Sequence, residues 1–268
     1  MAGPFTLDIA ARVHNICKDW PQGAEIRDLD RALRVLTKWR SHLIELTYLR
    51  HHGAVIRGGL FAGLKYVERA TEGSLIARLL GVYESELHPH LEALMPHVDC
   101  VLDIGCAEGY YAVGLAYRYP TVEIFAHDTS EDARAACADL AARNDVSDRV
   151  RIGGEFGPGD FEAFASRDVL VLVDAEGAEV DILDPAASPA LSEMRIIVET
   201  HNHFRAGARE TMRRRFEPTH DIVEVRTRPK AFEPPPWLDE LTELDLLLST
   251  WEWRERLTPW LIMTPRSG

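Results

Sequence analysis

The stretch Val101–Tyr111, which reads VLDIGCAEGYY, decides the fold. An apolar run leads into Asp103, a turn marked by Gly105 and Gly109 follows, and the segment after it is rich in alanine. This order predicts a buried strand, a tight loop and the first turn of a helix. In open α/β sheets a nucleotide-like ligand binds at such a turn, because glycine lets the backbone come close and the helix N-terminus offers free N–H groups.

The spacing of the glycines separates the candidate ligands. The dinucleotide fingerprint is Gly-x-Gly-x-x-Gly, whereas this turn has Ala107 between Gly105 and Gly109, and it lacks the Lys-Ser/Thr pair of a phosphate-binding loop. Asp103 stands two residues before the first glycine, where a carboxylate repels pyrophosphate and attracts an ammonium group. S-adenosylmethionine (SAM) carries an ammonium group, so the turn favours SAM. An ordinary strand-to-helix turn is the alternative.

Length, composition and charge indicate how large the domain is and which partners are disfavoured. The chain has 268 residues, 46% of them hydrophobic, which suits one large α/β domain with an appendage. Its 43 acidic and 30 basic residues give a net charge of −13, which disfavours nucleic acid as a partner unless a local basic patch overrules it. No apolar run approaches about 18 residues, so we expect no transmembrane helix and no membrane partner.

The cysteines and the N-terminus bear on the compartment. Cys17, Cys100, Cys106 and Cys137 show no CxxC spacing, and Met1–Asp8 lacks the basic and apolar regions of a signal peptide. We therefore expect reduced cysteines and a cytoplasmic protein.

An N-terminal helical extension over residues 1–54 is predicted to precede a main domain over residues 55–268. Residues 8–50 are predicted to be helical because apolar side chains recur at spacings of three, four and seven. These side chains are Ile26, Leu29, Leu33, Leu36, Leu43 and Leu46. Such a stripe packs on its own domain or, as the alternative, contacts a second subunit in a homodimer, and spacing alone does not decide between them.

Strands and helices are predicted to alternate from residue 99 onward. The predicted strands are 99–104, 122–127, 149–154, 169–174, 194–200, 221–226 and 260–263, and the predicted helices are 109–118, 130–144, 160–166, 177–184 and 205–216. This pattern is typical of an α/β, Rossmann-like class I methyltransferase, with a seven-stranded, mostly parallel sheet and helices on both faces.

Acidic residues follow the second and third predicted strands. Asp128 lies about 20 residues past the glycine turn, where a carboxylate accepts both ribose hydroxyls. Its alternative role is that of an acid at a helix N-terminus. Asp160 and Phe161 would supply a carboxylate and an apolar wall for adenine, or else belong to a plain surface loop.

Polar residues also end the fourth and fifth predicted strands. Asp174 and Glu176 follow one strand, and Glu199, His201 and His203 follow the next. Because neighbouring parallel strands end at the same edge of a sheet, we expect these residues to converge. They would provide a general base for a hydroxyl proton, hold a divalent metal ion such as Mg²⁺, or form a hydrogen-bonded strand end without catalytic duty.

Two later segments have open assignments. The arginines on the predicted helix after the fifth strand form a solvated face or recognise an anionic substrate. They are Arg205, Arg209, Arg213, Arg214 and Arg215. The aromatic and acidic segment from Pro234 to Trp253 forms a lid or acceptor-binding wall, or packs its leucines inward.

Several of these motifs resemble the FkbM-type SAM-dependent methyltransferases. Asp103–Tyr111 resembles the first motif of that family, Val173–Glu179 is similar to its second signature, and Ile197–His201 is similar to the strand that follows. Gly59–Tyr66 and Leu80–Leu87 also resemble segments that precede the first strand. The similarity spans residues 55–203, and the region after residue 204, which should hold the acceptor determinants, is the least family-like.

The resemblance implies a class I methyltransferase fold and a set of SAM-binding residues. Asp103, Gly105 and Glu108 would line the methionine side, Asp128 the ribose and Asp174 the mouth of the site. The implied set is completed by Tyr83, Glu86, Cys106, Gly109, Tyr110, Thr129, Asp160 and Phe161. The sequence His127-Asp128-Thr129 departs from the family, which commonly has an aromatic residue, Glu and Pro there.

The sequence thus predicts a SAM-dependent O-methyltransferase that acts on a hydroxyl of a small molecule such as a sugar or natural-product scaffold. Asp174, His201 and Glu176 are the predicted catalytic residues. The alternatives are N-methylation of an amine or peptide and a SAM-binding assembly protein without catalysis. A divalent metal is not part of the predicted set.

Overall fold

The computed structural model of the protein describes residues 3–20, 23–71 and 73–266. Met1, Ala2, Pro21 and Gln22, which belong to the predicted helical extension, lie outside these ranges. Within the ranges, seven strands form one sheet. They are β1 (Cys100–Ile104), β2 (Glu123–His127), β3 (Val150–Gly153), β4 (Val169–Val173), β5 (Arg195–Glu199), β6 (His220–Val225) and β7 (Trp260–Pro265).

Helices lie before the sheet and between its strands. They are α1 (Pro4–Cys17), α2 (Ile26–His52), α3 (Leu75–Leu80), α4 (His88–Leu94), α5 (Tyr110–Arg118), α6 (Glu131–Arg143), α7 (Glu179–Ile182), α8 (Ala208–Phe216), α9 (Pro236–Asp239) and α10 (Glu243–Thr250). Short 3-10 segments lie at Met95–His97, Asp160–Phe164 and Pro189–Glu193.

The strand order is β3-β2-β1-β4-β5-β7-β6. β7 is antiparallel to both of its neighbours, and the pairings among β1 to β5 are parallel. This order confirms the predicted Rossmann-like class I methyltransferase fold. The chain moves outward from β1 to β3 and then returns to β4 on the other side, so the crevice between β1 and β4 is the switch point where such sheets bind ligands.

Some predicted helices are shorter than expected. The predicted helix 160–166 is the 3-10 segment Asp160–Phe164, and the predicted helix 177–184 is the single turn α7. The predicted helical region 8–50 is divided into α1 and α2. Gly23, between them, has a φ of 147°, which an L residue in a helix does not adopt.

The second half of α2 packs into the main core. Ile44 and Tyr48 are buried in the same cluster as Val101 of β1. The Tyr48 hydroxyl lies 2.7 Å from the carbonyl oxygen of Val55 and 3.1 Å from that of Leu79. The tyrosine therefore ties α2 to the loop after it and to α3.

The apolar stripe predicted on α2 faces outward. Ile26 is 79% exposed and Leu33 is 59% exposed, while Leu29, Leu36 and Leu46 are exposed as well. The interpretation of this stripe as a face packed on its own domain is therefore wrong for these residues. The homodimer through the N-terminal helices stays a prediction.

Two further expectations concern disulfide bonds and membrane-spanning helices. Cys17, Cys100, Cys106 and Cys137 form no disulfide. Among the described residues no helix is both long enough and apolar enough to cross a membrane.

Replacing Tyr48 with Phe tests the anchoring of α2. The change removes the hydroxyl and leaves two buried carbonyl groups with one partner fewer, so the free energy of unfolding should fall by about 1–2 kcal/mol. Urea titration followed by circular dichroism measures this change. Tyr117→Phe is the matched control, because Tyr117 is 41% exposed and its hydroxyl bonds to no described residue. Equal stability of both variants would contradict the anchoring role.

Candidate active site

The glycine turn is held against the neighbouring strand ends. The N–H groups of Gly105 and Cys106 donate to the carbonyl of His127, at 2.8 and 3.1 Å. Gly105 has a φ of 85°, and a Cβ atom there would lie 1.8 Å from the carbonyl oxygen of Asp174. The backbone at the ends of β1 and β4 therefore approaches so closely that residue 105 must be glycine.

A cavity of about 620 Å³, here called the first cavity, opens at the carboxyl ends of β1, β2 and β4. Of the predicted site residues, the structure places five on its wall: Gly105, Asp128, Thr129, Asp174 and Glu176. The cavity thus lies at the switch point of the sheet, where the fold predicts ligand binding.

The position of Asp128 bears on both of its predicted roles, ribose binding and an acid at a helix N-terminus. One carboxylate oxygen accepts the Ala107 N–H at 3.0 Å, and the other accepts the Ser130 N–H at 2.8 Å. Ser130 in turn caps α6 by accepting the Ala133 N–H at 3.3 Å. The carboxylate thus organises the start of the helix and also lies on the cavity wall.

The loop after β3 contributes residues other than the predicted ones. Phe161 is fully buried and packs on Phe156, with ring centroids 4.8 Å apart. Asp160 accepts the Gly157 N–H at 2.7 Å. Neither Phe161 nor Asp160 lines the first cavity, whereas Phe156 and Gly157 do. Phe161 and Asp160 therefore support the loop, and Phe156 is the aromatic wall that the sequence analysis missed.

Asp103 and Glu108 lie beneath the turn, away from the cavity wall. Burial raises the pKa of Asp103 to about 7, and its carboxylate accepts the Ala112 N–H. Its Oδ2 atom has no hydrogen-bond partner among the described residues. Glu108 accepts the Tyr66 hydroxyl at 2.6 Å. Although burial opposes the charge of Glu108, the Arg78 guanidinium and the Tyr66 hydroxyl lower its pKa.

The remaining motif residues pack in the core. Cys106 and Tyr110 are buried, and Tyr110 packs edge-on against Tyr83, with centroids 5.3 Å apart. Gly109, immediately before α5, has a φ of 94°, and a Cβ atom there would lie 2.8 Å from the Cys137 sulfur. None of Cys106, Gly109 and Tyr110 lines the first cavity, so they shape the turn from below.

A second cavity of about 340 Å³ adjoins the first and shares Asp174 and Glu176 with it. His201 and His203, which follow β5, and Glu199 at its end also line this cavity. The polar residues at the ends of β4 and β5 therefore converge, as parallel topology requires.

His201 lies among carboxylates. Its Nε2 atom is 3.5 Å from the carboxylate of Asp174 and 3.6 Å from that of Glu199, and its Nδ1 atom is 3.5 Å from that of Glu179. Burial alone would lower the pKa of His201, but the charges of Glu179, Glu199 and Glu176 outweigh it, so the pKa is raised.

Glu179 fixes the position of His201. This carboxylate is fully buried and accepts the backbone N–H groups of His201 at 2.8 Å and of Gly177 at 2.7 Å. Burial opposes the charge of Glu179, but these bonds and His201 outweigh it and lower its pKa. Glu179 lies in Val173–Glu179, the segment that is similar to the second FkbM-type signature. That similarity was the sequence feature that pointed to this residue.

Arg254 is the central cation at the second cavity and was not predicted. Its guanidinium donates to Glu84, Glu199 and Glu252. Burial and the neighbouring carboxylates of Glu199 and Glu252 raise the pKa of Glu84 to about 8, although Arg254 acts in the opposite direction. The only sequence feature that points to Arg254 is the run of alternating aromatic and charged residues Trp251-Glu252-Trp253-Arg254.

Neither of the two residues predicted to cover the cofactor, Tyr83 and Glu86, lines the first cavity. Glu86 forms an ion pair with buried Lys230, which also lies 2.8 Å from Glu252. Glu86 lines neither cavity. Tyr83 lines the second cavity and stacks under the Arg78 guanidinium at 4.1 Å.

Asp174, Glu199 and His201 each offer one ligand atom, and these atoms lie within 4.8 Å of one another. This spacing suits a divalent cation with oxygen and imidazole ligands. One oxygen of Glu199, however, is already bonded by Arg254 and Thr258. The Arg254 guanidinium already supplies positive charge beside Glu199. The cluster of Asp174, Glu199 and His201 is therefore stabilised by a side chain of the protein itself.

The arginines after β5 bind their own chain. Arg205 pairs with Asp181, Arg213 pairs with Glu224, and Arg215 donates to the carbonyl of Leu183. None of these arginines lines the first or the second cavity. Arg205, Arg213 and Arg215 therefore support the structure around this helix and lie outside both cavities.

The segment 234–258 divides into a docked part and a cavity wall. Trp237 stacks on His51, with centroids 5.5 Å apart, and its indole N–H donates to His52 at 2.9 Å. Leu248 is buried, whereas Leu244 is 57% exposed. Trp237 is thus fixed on the end of α2, and the cavity wall is made by residues 252–256.

Comparisons with solved structures find distant similarity to O-methyltransferases. The O-methyltransferase TomG from Streptomyces achromogenes, solved with SAM, aligns at 14% identity over 69% of this chain and 81% of its own, with a TM-score of 0.45. An O-methyltransferase from Bacillus cereus, solved with S-adenosylhomocysteine (SAH), aligns at 14% identity over 66% and 78%, with a TM-score of 0.43. No family model and no curated protein sequence matches the chain.

Gly105→Ala tests the close approach of β1 and β4. The new Cβ atom would meet the carbonyl of Asp174 in a backbone conformation that L residues rarely adopt. We expect the free energy of unfolding to fall by about 2–4 kcal/mol. Gly154→Ala is the control, since Gly154 lines the same cavity but has nothing within 4 Å of its Cβ position. Thermal unfolding of both variants measures the difference, and similar losses would contradict the steric argument.

Proposed function

We propose that this chain is an FkbM-type, SAM-dependent methyltransferase that O-methylates a hydroxyl of a small-molecule acceptor. One observation carries the proposal. The first cavity, at the switch point of the sheet, and the second cavity, which holds His201, meet at Asp174 and Glu176. A donor in one cavity and an acceptor in the other would therefore face each other across these two carboxylates.

The residues around the first cavity fit SAM. Asp128 and Thr129 would hold the ribose, Phe156 would face the adenine, and the glycine turn would follow the methionine backbone. Oδ2 of buried Asp103 has no hydrogen-bond partner among the described residues, and in its ionised form this carboxylate, beneath the turn, would suit the ammonium group. When bound, SAM supplies an electrophilic methyl group on a sulfonium.

His201 is the best placed group to receive the acceptor proton. Its Nδ1 atom lies 3.5 Å from the Glu179 carboxylate but forms no hydrogen bond with a described residue, and a neutral imidazole with its proton on Nδ1 would leave Nε2 as the acceptor. Asp174, 3.5 Å from Nε2, stabilises the imidazolium that forms. Glu179 acts as a positioning residue, because it holds the backbone N–H of His201. Orientation of the hydroxyl beside this base lowers the barrier to transfer.

N-methylation of an amine is a second candidate. The carboxylates of Asp174, Glu176, Glu199 and Glu252 line the second cavity and would attract a positively charged amine. A screen of hydroxyl and amine acceptors with labelled SAM separates the two, because the product identifies the methylated atom. A SAM-binding assembly protein would give no labelled product.

Asp128→Asn tests the donor site. The amide keeps the size of the side chain but loses the charge that holds the Ala107 N–H and the ribose hydroxyls. We expect the affinity for SAH, measured by calorimetry, to fall at least about tenfold. Asp139→Asn, on the exposed face of α6, is the control and should bind SAH like the unchanged protein. Unchanged affinity of Asp128→Asn would refute the donor site.

His201→Asn tests the proton acceptor. We expect turnover to fall about a hundredfold or more, with SAH affinity unchanged, because the base is lost and the donor site remains. Full activity of this variant would remove His201 from the mechanism.

The pH dependence follows from the raised pKa of His201. Only the neutral imidazole accepts a proton, so kcat/KM should rise with pH through a midpoint above the ordinary histidine value of about 6.5. Glu199→Gln removes a negative charge that raises this pKa, so the midpoint should move to lower pH. Glu217→Gln, on the surface, should leave it unchanged.

Treatment with a chelator distinguishes catalysis by a general base from catalysis that needs a metal ion. If the base acts alone, activity persists after exhaustive treatment with EDTA and does not depend on added Mg²⁺. Loss of activity that Mg²⁺ restores would assign Asp174, Glu199 and His201 as ligands instead.

A further inference from the structure

A third cavity of about 720 Å³, here called the N-terminal groove, lies between α1, α2 and the segment after α10. Its wall is partly aromatic, with Phe5, Trp39 and Trp253, and includes the apolar side chains of Ile9 and Val35. The groove therefore offers flat apolar surface for a ring system.

The charge of this groove is opposite to that of the whole chain. Although the protein has a net charge of −13, the groove is lined by three acidic side chains, Asp30, Glu45 and Glu255, and by six basic ones. They are Arg12, Arg27, Arg31, Arg34, Lys38 and Arg69. Arg34 pairs with Glu255 at 2.9 Å and Arg27 with Glu25. The other four form no ion pair with any residue that the structure describes, so their charges are available to a ligand.

The N-terminal groove adjoins the second cavity. Gly73, Trp253 and Glu255 line both of them. A molecule whose hydroxyl lies beside His201 can therefore extend past Trp253 into the groove.

Trp253 is held at this boundary in an unusual conformation. Its φ is 65°, a region that bulky side chains rarely occupy. The indole N–H donates to buried Ser41 at 3.1 Å, and the Lys38 ammonium lies 5.3 Å from the ring centroid. The surrounding structure therefore fixes an aromatic surface beside a cation where the two cavities meet.

We propose that the N-terminal groove is the distal part of the acceptor site and binds an acceptor with a planar apolar body and an anionic group remote from the methylated hydroxyl. This proposal rests on the proposed function. Trp253 and Trp39 bind the body, and Lys38 and Arg31 bind the anion, which is a carboxylate, phosphate or sulfonate. Residues of the N-terminal helices thus determine substrate specificity.

A pair of dyes that differ in one charged group tests the groove directly. Anilinonaphthalene sulfonate and phenylnaphthylamine share their ring system, and only the first carries a sulfonate. By fluorescence titration, the protein should bind the sulfonate at least about tenfold more tightly than the neutral dye. The double variant Arg31→Gln, Lys38→Gln should lose this preference and keep its affinity for the neutral dye.

The matched control is Lys65→Gln, Arg143→Gln, which removes the same two kinds of charge at exposed positions outside the groove. It should keep the full preference. Equal binding of both dyes by the unchanged protein, or an equal loss of preference in both double variants, would overturn the proposal. Trp253→Leu should weaken binding of both dyes, and unchanged binding of both would contradict the role of the ring.

Separate readouts distinguish this proposal from the proposed function. SAH titration reports on the first cavity and should be the same in both double variants and the unchanged protein. If SAH does not bind at all, the proposed function fails, whereas a sulfonate preference that depends on Arg31 and Lys38 still establishes an anion site. With labelled SAM, hydroxyaryl carboxylates should be better acceptors than their amides, and Arg31→Gln, Lys38→Gln should raise KM for the carboxylates alone. No difference between carboxylates and amides would overturn the acceptor assignment.

Discussion

The guanidinium of Arg254 joins three parts of the chain that are far apart in sequence. It donates to Glu84 before α4, Glu199 at the end of β5 and Glu252 beside it. Carboxylates buried together repel one another, and removing the partner of a buried charge costs about 3–5 kcal/mol. The form of the second cavity therefore depends on one cation, which offsets the charge of Glu199 and Glu252 on its wall and of buried Glu84. That cation binds one oxygen of Glu199, and the other oxygen lies 3.6 Å from Nε2 of His201.

Most of the sheet could be predicted because each strand is a short continuous run of sequence. A run such as Val169–Val173 is buried on both faces, and apolar residues bounded by turns indicate such a strand. The helices were harder to predict, because periodicity shows that an apolar stripe exists but not what covers it. On α2 the stripe through Leu33 is exposed, and the face that packs inward contains Ser41, Glu45 and Tyr48.

The candidate site was predictable where topology alone brings residues together. Asp174 and His201 follow neighbouring parallel strands, so their meeting is a consequence of the strand order. Residues whose roles depend on distant partners were not predictable. Glu108 is bonded by Tyr66, 42 positions away, and Glu86 pairs with Lys230, 144 positions away. Sequence spacing carries no information about such pairs, and it could not distinguish a cavity wall from the layer beneath it.

The position of β7 has a consequence for synthesis on the ribosome. This strand lies between β5 and β6, although it follows both in the chain. Until residues 260–265 emerge, β5 and β6 each expose an open edge, and such edges template aggregation. The residues lining the first cavity have all been translated by Ile182, whereas those of the second include Thr258. A nascent chain thus completes the first cavity well before the second, and the edges of β5 and β6 stay open in the interval, when chaperones would protect them.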